Sequence, residues 1–385
     1  MENNKMLQYG RLVDHYARKS RAFKVPFAGT FELTPRCNMN CKMCYIRMTE
    51  QEMAKVGREM SAEEWLKIAR AAVDRGMVRL LPTGGEAVLY KDFKKLYLEL
   101  RKMGLFISIN TNGTMFTDEW FRFFDQYPPA QLNVTLYGGS NETYARLCRN
   151  PRGFDQVRSN IDKMLEHHFR VHLNVTLTKQ NAEDMEAIYA FGRERGLTVH
   201  GNTYCFPPVR KEGVENPEQS RFTPREAAEA RIRLNWYGMN DQNRFRQWAN
   251  QIHTDMEHAE RPGEDECGKI EGERVLCAAG RANFWITWDG RMLPCGMIPN
   301  MKVSMKDHEF DEAWAEIVRE TKKITLTPEC AVCPKKSLCL PCAAKIMSET
   351  GSYSGKSDYL CEYTDEYIRL LGEAVKYLEN EQKNG

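Results

Sequence analysis

Between residues 29 and 206 the chain switches repeatedly between two hydrophobic periods. Six short runs rich in β-branched and aromatic residues read as strands: "GTFELT" (29–34), "MVRLLPT" (77–83), "LFISINTN" (105–112), "AQLNVTLY" (130–137), "RVHLNVTL" (170–177) and "LTVHGNTYCF" (197–206). Between them apolar residues recur at helical spacing, as at Leu66, Ala69 and Val73. Ser61 with Glu64 predicts a capping box ahead of "EEWLKIARAAVDRG", and Asn181 with Asp184 repeats the pattern. Six strands alternating with five recognisable helices predict parallel βα units of the α/β class. Six units leave a barrel open, and the expected fold is a partial (β/α)6 TIM-like barrel with its chemistry at the carboxyl ends of the strands.

After residue 206 the pattern changes. "CFPPVRKEGVENPEQSRFTP" (205–224) is a Pro- and charge-rich connector, and Thr223, Pro224 and Glu226 start a long helix. Helical stretches continue to "RPGEDECG" (261–268), beyond which short strands and cysteine-rich loops end in a helix across "DEYIRLLGEAVKYLEN". In "ANFWITWDG" (282–290), Phe284, Ile286 and Trp288 predict one face of a hairpin strand packed in this last region, with a tight turn at Asp289-Gly290. The expected organisation is an N-terminal segment (1–28), a barrel (29–210), a connector with bridging helices (211–262) and a cysteine-rich domain (263–385).

Charge narrows the partners. Lys plus Arg is 55 and Asp plus Glu 53, a net +2, which argues against nucleic acid or an anionic membrane as the main partner. The first residues lack the apolar core of a signal peptide, and no run is long and apolar enough to span a bilayer, so a cytoplasmic protein is expected.

The 13 cysteines are the outlying feature. In a chain of this length with no export signal, clustered cysteines point to metal rather than to disulfides. Cys37, Cys41 and Cys44 sit in one loop directly behind the first strand. A structural zinc site wants four protein ligands, whereas three thiolates hold a four-iron cluster by three corners and leave one iron open to a ligand from solution. A zinc site completed by a distant histidine is the alternative. A second group comprises Cys277, Cys295, Cys330, Cys333, Cys339, Cys342 and Cys361. Cys330, Cys333, Cys339 and Cys342 would by themselves make a four-thiolate zinc knuckle, but this leaves the other three unexplained.

Cys-x3-Cys-x2-Cys behind a first strand, on a βα scaffold, resembles the radical S-adenosylmethionine (radical SAM) superfamily. "TGGEA" (83–87) at the next strand end resembles that family's Gly-Gly-Glu-Pro motif, with Ala87 in place of proline. Met43 and Tyr45 flank the third cysteine, where the family usually carries an aromatic just before it. The resemblance implies a 4Fe-4S cluster on Cys37, Cys41 and Cys44 whose open iron chelates SAM. It further implies reductive cleavage of SAM to a 5′-deoxyadenosyl radical that takes hydrogen from a substrate, with a flavodoxin or ferredoxin as electron donor. Gly84 and Gly85 would admit the SAM amino group, Glu86 would accept from it, and Asn110, Asn112 and Thr135 would face SAM; ordinary strand-end turns account for the last three equally well. Arg146 and Arg149 lie nearby as candidates for the SAM carboxylate.

The later cysteines resemble the SPASM extension, which carries two auxiliary 4Fe-4S clusters. By that likeness Cys330, Cys333, Cys339 and Cys361 would hold one, and Cys277, Cys295 and Cys342 the other, its fourth iron open or taken by Cys267. Cys148 and Cys205 remain. Cys205 ends the sixth predicted strand, where it is either a buried structural thiol or a hydrogen-atom donor. The family points to a peptide or protein substrate, crosslinked through a thioether or carbon–carbon bond or epimerised. About 28 residues before the first strand are too few for a peptide-binding module. Sulfatase maturation, a substrate lacking any peptide, and a non-catalytic iron–sulfur or zinc scaffold are the alternatives.

Overall fold

The computed structural model describes residues 9–208, 220–257 and 277–384. Six parallel strands, β1 (Ala28–Thr34), β2 (Arg79–Gly84), β3 (Phe106–Thr111), β4 (Gln131–Thr135), β5 (Val171–Thr176) and β6 (Val199–Asn202), lie side by side in chain order. Their alternation explains the layering. Leu132 and Val134 are wholly buried against the helices, while Gln131, Asn133 and Thr135 stand on the opposite, concave face. The helix Ala62–Asp74 shows how the outer layer docks. Ser61 Oγ accepts from Glu64 N at 3.2 Å and Glu64 returns a bond to Ser61 N at 2.7 Å. One face then buries Trp65, Leu66, Ile68, Ala69 and Ala72, with Trp65 stacked on Phe31 of β1 at 4.7 Å.

Three further strands extend the sheet from β1. β7 (Asn283–Ile286) pairs parallel to β1, and β8 (Arg291–Leu293) and β9 (Val303–Ser304) follow antiparallel, giving the order β6-β5-β4-β3-β2-β1-β7-β8-β9. The ends, β6 and β9, do not meet, so the barrel is open as expected. The hairpin over 282–290 therefore packs on the main sheet and not within a separate cysteine-rich region. Phe284 and Ile286 point into the barrel's outer core, where Phe284 contacts Phe31, Phe310 and Trp314. A run of alternating aromatics satisfies a free sheet edge as readily as a detached hairpin, and β1 offered that edge.

Two local expectations are corrected. Asn181 and Asp184 form no capping box: Asn181 accepts from Thr178 N at 2.7 Å and donates to Tyr137 O and Thr176 O, tying the ends of β4 and β5 together. Asp184 instead accepts from Gly139 N at 2.6 Å. The sixth strand stops at Asn202, whose side chain bonds Tyr204 N and O at 3.2 and 3.1 Å and so competes with the ladder.

The C-terminal part closes against the barrel through packed helices. Ala228, Phe245, Ala249, Tyr367 and Leu371 form a small core between Pro224–Met239, Gln242–Glu257 and Asp358–Asn384. Tyr204, just past β6, donates to Glu349 at 2.5 Å, and Glu349 also pairs with Arg221, which stacks over Tyr359. No helix among the described residues is long and apolar enough to cross a membrane.

Candidate active site

Cys37, Cys41 and Cys44 lie on the irregular loop after β1, pinned from several sides. Asn40 N and Lys42 N donate to the carbonyls of Cys148 and Leu147, and Cys44 N to that of Cys41. The thiol sulfurs accept bonds in turn: Cys37 from Met39 N at 3.4 Å and from Asn112 Nδ2 at 3.7 Å, and Cys44 from Arg47 N at 3.2 Å. N–H donors aimed at cysteine sulfur are what an iron-bound thiolate requires. Burial pushes the Cys37 thiol up to about 12, with Glu86, Cys41 and Cys44 adding to the rise. Cys41 is raised well above its ordinary value, first by the neighbouring Cys148 thiol and then by burial. Such a group of buried thiols stays protonated unless a cation takes the charge, which a cluster iron does. Among the described residues no three potential ligands already converge on one ion; three thiols on one loop are nonetheless the donor set that holds a four-iron cluster by three corners.

The turn after β2 is laid directly on this loop. Gly85 N donates to Thr34 O and Glu86 N to Arg36 O, both at 2.8 Å. A Cβ on Gly84 would stand 2.3 Å from Thr34 O and one on Gly85 2.4 Å from Arg36 O, so the glycines are demanded by the contact between the two strand ends. Glu86 is 1% exposed. Its carboxylate accepts from Thr111 Oγ1 at 2.8 Å and from Asn112 N at 2.7 Å, and burial, against those donors, raises it to about 7. Asn112 donates onward to Asn38 Oδ1 at 2.8 Å. Glu86 and Asn112 thus link the ends of β2 and β3 to the cysteine loop. Asn110 lies lower on β3, its side chain accepting from Asn133 at 2.9 Å. Thr135 is on the concave face at the end of β4, and its hydroxyl has no partner among the described residues. Arg146 spends its guanidinium on Gln180 O and Glu142, and Arg149 is the left-handed cap of the helix Asn141–Cys148.

Two neighbours of the loop escaped the sequence reading. Tyr137 sits two residues beyond Thr135, hence on the same face, and burial together with the thiols of Cys41, Cys148, Cys37 and Cys44 drives its hydroxyl well above its ordinary value. Cys148, 0% exposed, stands against Cys41. Period-two counting from Thr135 would have found Tyr137; nothing local marks Cys148. Cys205 lies three residues past the end of β6, buried, with its thiol raised to about 11 by burial.

Beside the loop a cavity of about 450 Å³ lies between Glu32 of β1, Tyr45 and Met48 of the loop, Pro208, and Asp289 and Arg291 of the hairpin. Glu32 is buried there and accepts from Trp285 Nε1 at 2.9 Å.

The later cysteines divide. Cys330, Cys333, Cys339 and Cys361 line one cavity of about 780 Å³. Burial raises Cys339 to about 11, and the thiols of Cys361, Cys330 and Cys333 add to it, so all four are within electrostatic reach. Cys295 and Cys342 flank a small core of Ile298, Ile324, Leu326, Ala331, Ala343 and Ala344. Continuing the β7–β8 register puts Cys295 level with Asn283, whose bridge partner Ala279 is two residues from Cys277. Cys267 lies outside the described residues.

Comparison with known proteins agrees with this geometry. Residues 31–192 match the radical SAM superfamily. The chain is similar to the AdoMet-dependent heme synthase of Methanosarcina barkeri, 24% identical over 344 residues, covering 86% of this chain and 95% of that protein. It is also similar to the sporulation killing factor maturation protein SkfB of Bacillus subtilis, 21% identical over 319 residues, 80% of this chain and 68% of that one. In fold it resembles Streptococcus suis SuiB bound to the precursor peptide SuiA, with a TM-score of 0.64 at 17% identity over 94% of this chain and 83% of SuiB; SuiB has also been solved with S-adenosylmethionine. Residues 31–192 therefore form a radical SAM domain, and the chain is a radical SAM enzyme that uses a 4Fe-4S cluster and S-adenosylmethionine.

Proposed function

We propose that this enzyme abstracts hydrogen from a peptide or protein substrate bound across the concave face and the cavity beside the cysteine loop. The observation that carries this reading is the lining of that face. Asn174 and Thr176 stand at the loop end of β5 with no side-chain partner among the described residues, beside the rungs of Asn110 and Asn133. Uncharged amides and hydroxyls at two-residue spacing match the alternating donors and acceptors of a peptide backbone. The likeness to SkfB and to peptide-bound SuiB supports it.

When bound, the cluster on Cys37, Cys41 and Cys44 supplies one-electron cleavage of S-adenosylmethionine. Gly84 and Gly85 seat the β2 turn on the loop, Glu86 and Asn112 hold it, and Thr135 offers its hydroxyl to SAM. Asn110, already bonded to Asn133, positions that partner. Cys330, Cys333, Cys339 and Cys361 would hold an auxiliary cluster of SPASM type, and Cys277, Cys295 and Cys342 a second, its fourth iron open or taken by Cys267. Crosslinking a peptide is a two-electron oxidation and needs such an acceptor, and a flavodoxin or ferredoxin would supply the reducing electron. Sulfatase-type oxidation of a Cys or Ser fits the same machinery. With the domain identified, the non-catalytic scaffold falls away.

A second reading, oxidation of a heme precursor, is favoured by the near-full-length likeness to the heme synthase and by Arg291 and Lys302 on the cavity wall. Anaerobically reconstituted enzyme with SAM and dithionite separates them. A short cysteine-rich peptide encoded beside the gene should raise 5′-deoxyadenosine formation and lose two hydrogen atoms by mass, while an iron porphyrin should do neither; the reverse result overturns the peptide reading.

A further inference from the structure

We infer that the amino-terminal end of the sheet carries a second ligand site, for the phosphate or carboxylate group of a small anionic molecule. A cavity of about 400 Å³ lies there, within the range of small-molecule sites. It is separated from the cysteine loop by the length of β1, about 20 Å for seven residues at strand rise.

Register explains how it forms. The lowest rung of the sheet aligns Asn283, Ala28 and Arg79, because Ala28 pairs with both of the others. The rung above carries Thr30, Ser108 and Gln131 on the same face. The helix Tyr9–Phe23 crosses this end, contributing Ala17 and Arg21, one turn apart. Small residues at Ala17 and Ala28 leave the space open.

The charge on the walls gives the class of ligand. Arg21 and Arg79 both line the cavity, which has no aspartate or glutamate on its walls among the described residues. Neither side chain has an ion pair or hydrogen bond among the described residues. Several arginines elsewhere are held by acids, as Arg36 is by Glu59, Arg58 by Glu64 and Arg75 by Asp311. Thr30, Ser108 and Asn283 are likewise without side-chain partners among the described residues, so neutral donors accompany the two guanidiniums. Two planar guanidinium forks with hydroxyl and amide donors and no counter-ion are suited to the oxygens of phosphate or carboxylate.

Calorimetric titration of the reconstituted holoenzyme with inorganic pyrophosphate, and separately with succinate, tests the site. Saturable binding of the first assigns a phosphate ligand, and of the second a carboxylate. Arg21→Gln and Arg79→Gln should each weaken it by about tenfold or more, the loss of one charge-assisted contact. Arg79→Lys should keep part of it, and Arg122→Gln, at an exposed helix position that does not line the cavity, all of it. Should a Gln variant misfold, hydrogen exchange on the wild type decides: pyrophosphate or succinate should protect residues 79–81 and 106–108. No saturable heat with either anion, unchanged affinity in folded Gln variants, or protection confined to other segments would overturn the inference.

Discussion

The two thiol groups of this molecule are built by opposite means. The loop bearing Cys37, Cys41 and Cys44 rests on strand ends. β1 launches it, the β2 turn is bonded to its base, Asn112 from β3 reaches Cys37, and the helix carrying Leu147 and Cys148 holds its middle. The cavity of Cys330, Cys333, Cys339 and Cys361 has no such frame. Its walls are two four-residue helices, Pro328–Ala331 and Lys336–Cys339, and the start of Asp358–Asn384, of which the short pair buries little beyond Ala331. The backbone of the first loop is held by hydrogen bonds that need no metal. The second leans on short helices, so a metal bound there would contribute more to local folding than one bound at the first.

The sharpest way to break that comparison is to exchange losses. Ser in place of Cys37, Cys41 or Cys44 should lower 5′-deoxyadenosine formation by more than about a hundredfold, exceeding what loss of a supporting residue costs a metal site. Ser at Cys330, Cys333, Cys339 or Cys361 should leave SAM cleavage standing and remove about four irons per chain. Equal loss of SAM cleavage from both sets would show that the two groups are not independent.

Removing iron should next separate the regions by stability. Hydrogen exchange on the apoprotein should be fast across 327–361 and slow in β1 to β5. Uniform protection would mean that the rear walls fold without metal.

The frame of the front loop gives two smaller effects. Gly85→Ala puts a Cβ against Arg36 O and should cost about 3 kcal/mol in denaturant unfolding, the upper end of overpacking. Wild-type stability at that site as measured would mean the two strand ends are not held together. Glu86 gives a pH signature. Its folded carboxyl, near 7, binds a proton more tightly than the unfolded one, near 4.5. Its contribution is therefore fully present below about 4.5 and is lost as pH rises through about 7, a swing on the order of 3 kcal/mol. Chemical denaturation between these pH values should show that slope in the wild type and not in Glu86→Gln; identical slopes would mean the carboxyl is not desolvated.

Much of this was legible along the chain. The switch between periods of two and 3.6 residues located all six parallel strands to within a few residues, and the spacing of Cys37, Cys41 and Cys44 marked the chemistry, because both are written in near neighbours. The sixth strand ran too far in the sequence reading since Asn202 turns its side chain back on the backbone, a choice between two hydrogen bonds that composition does not reveal.

The sequence by itself determined the open α/β barrel, the three-thiol loop at the end of its first strand, and the glycines beside it. Only the tertiary structure decided that β7 would join β1, that Asn181 would tie two strands instead of capping a helix, that Cys148 would face Cys41, and that Arg21 and Arg79 would line one cavity with no acid among the described residues. The physical reason is range. Periodicity and turn chemistry act over a few residues, whereas these contacts join positions tens to hundreds of residues apart, and which edge or donor is left free is settled when the layers pack.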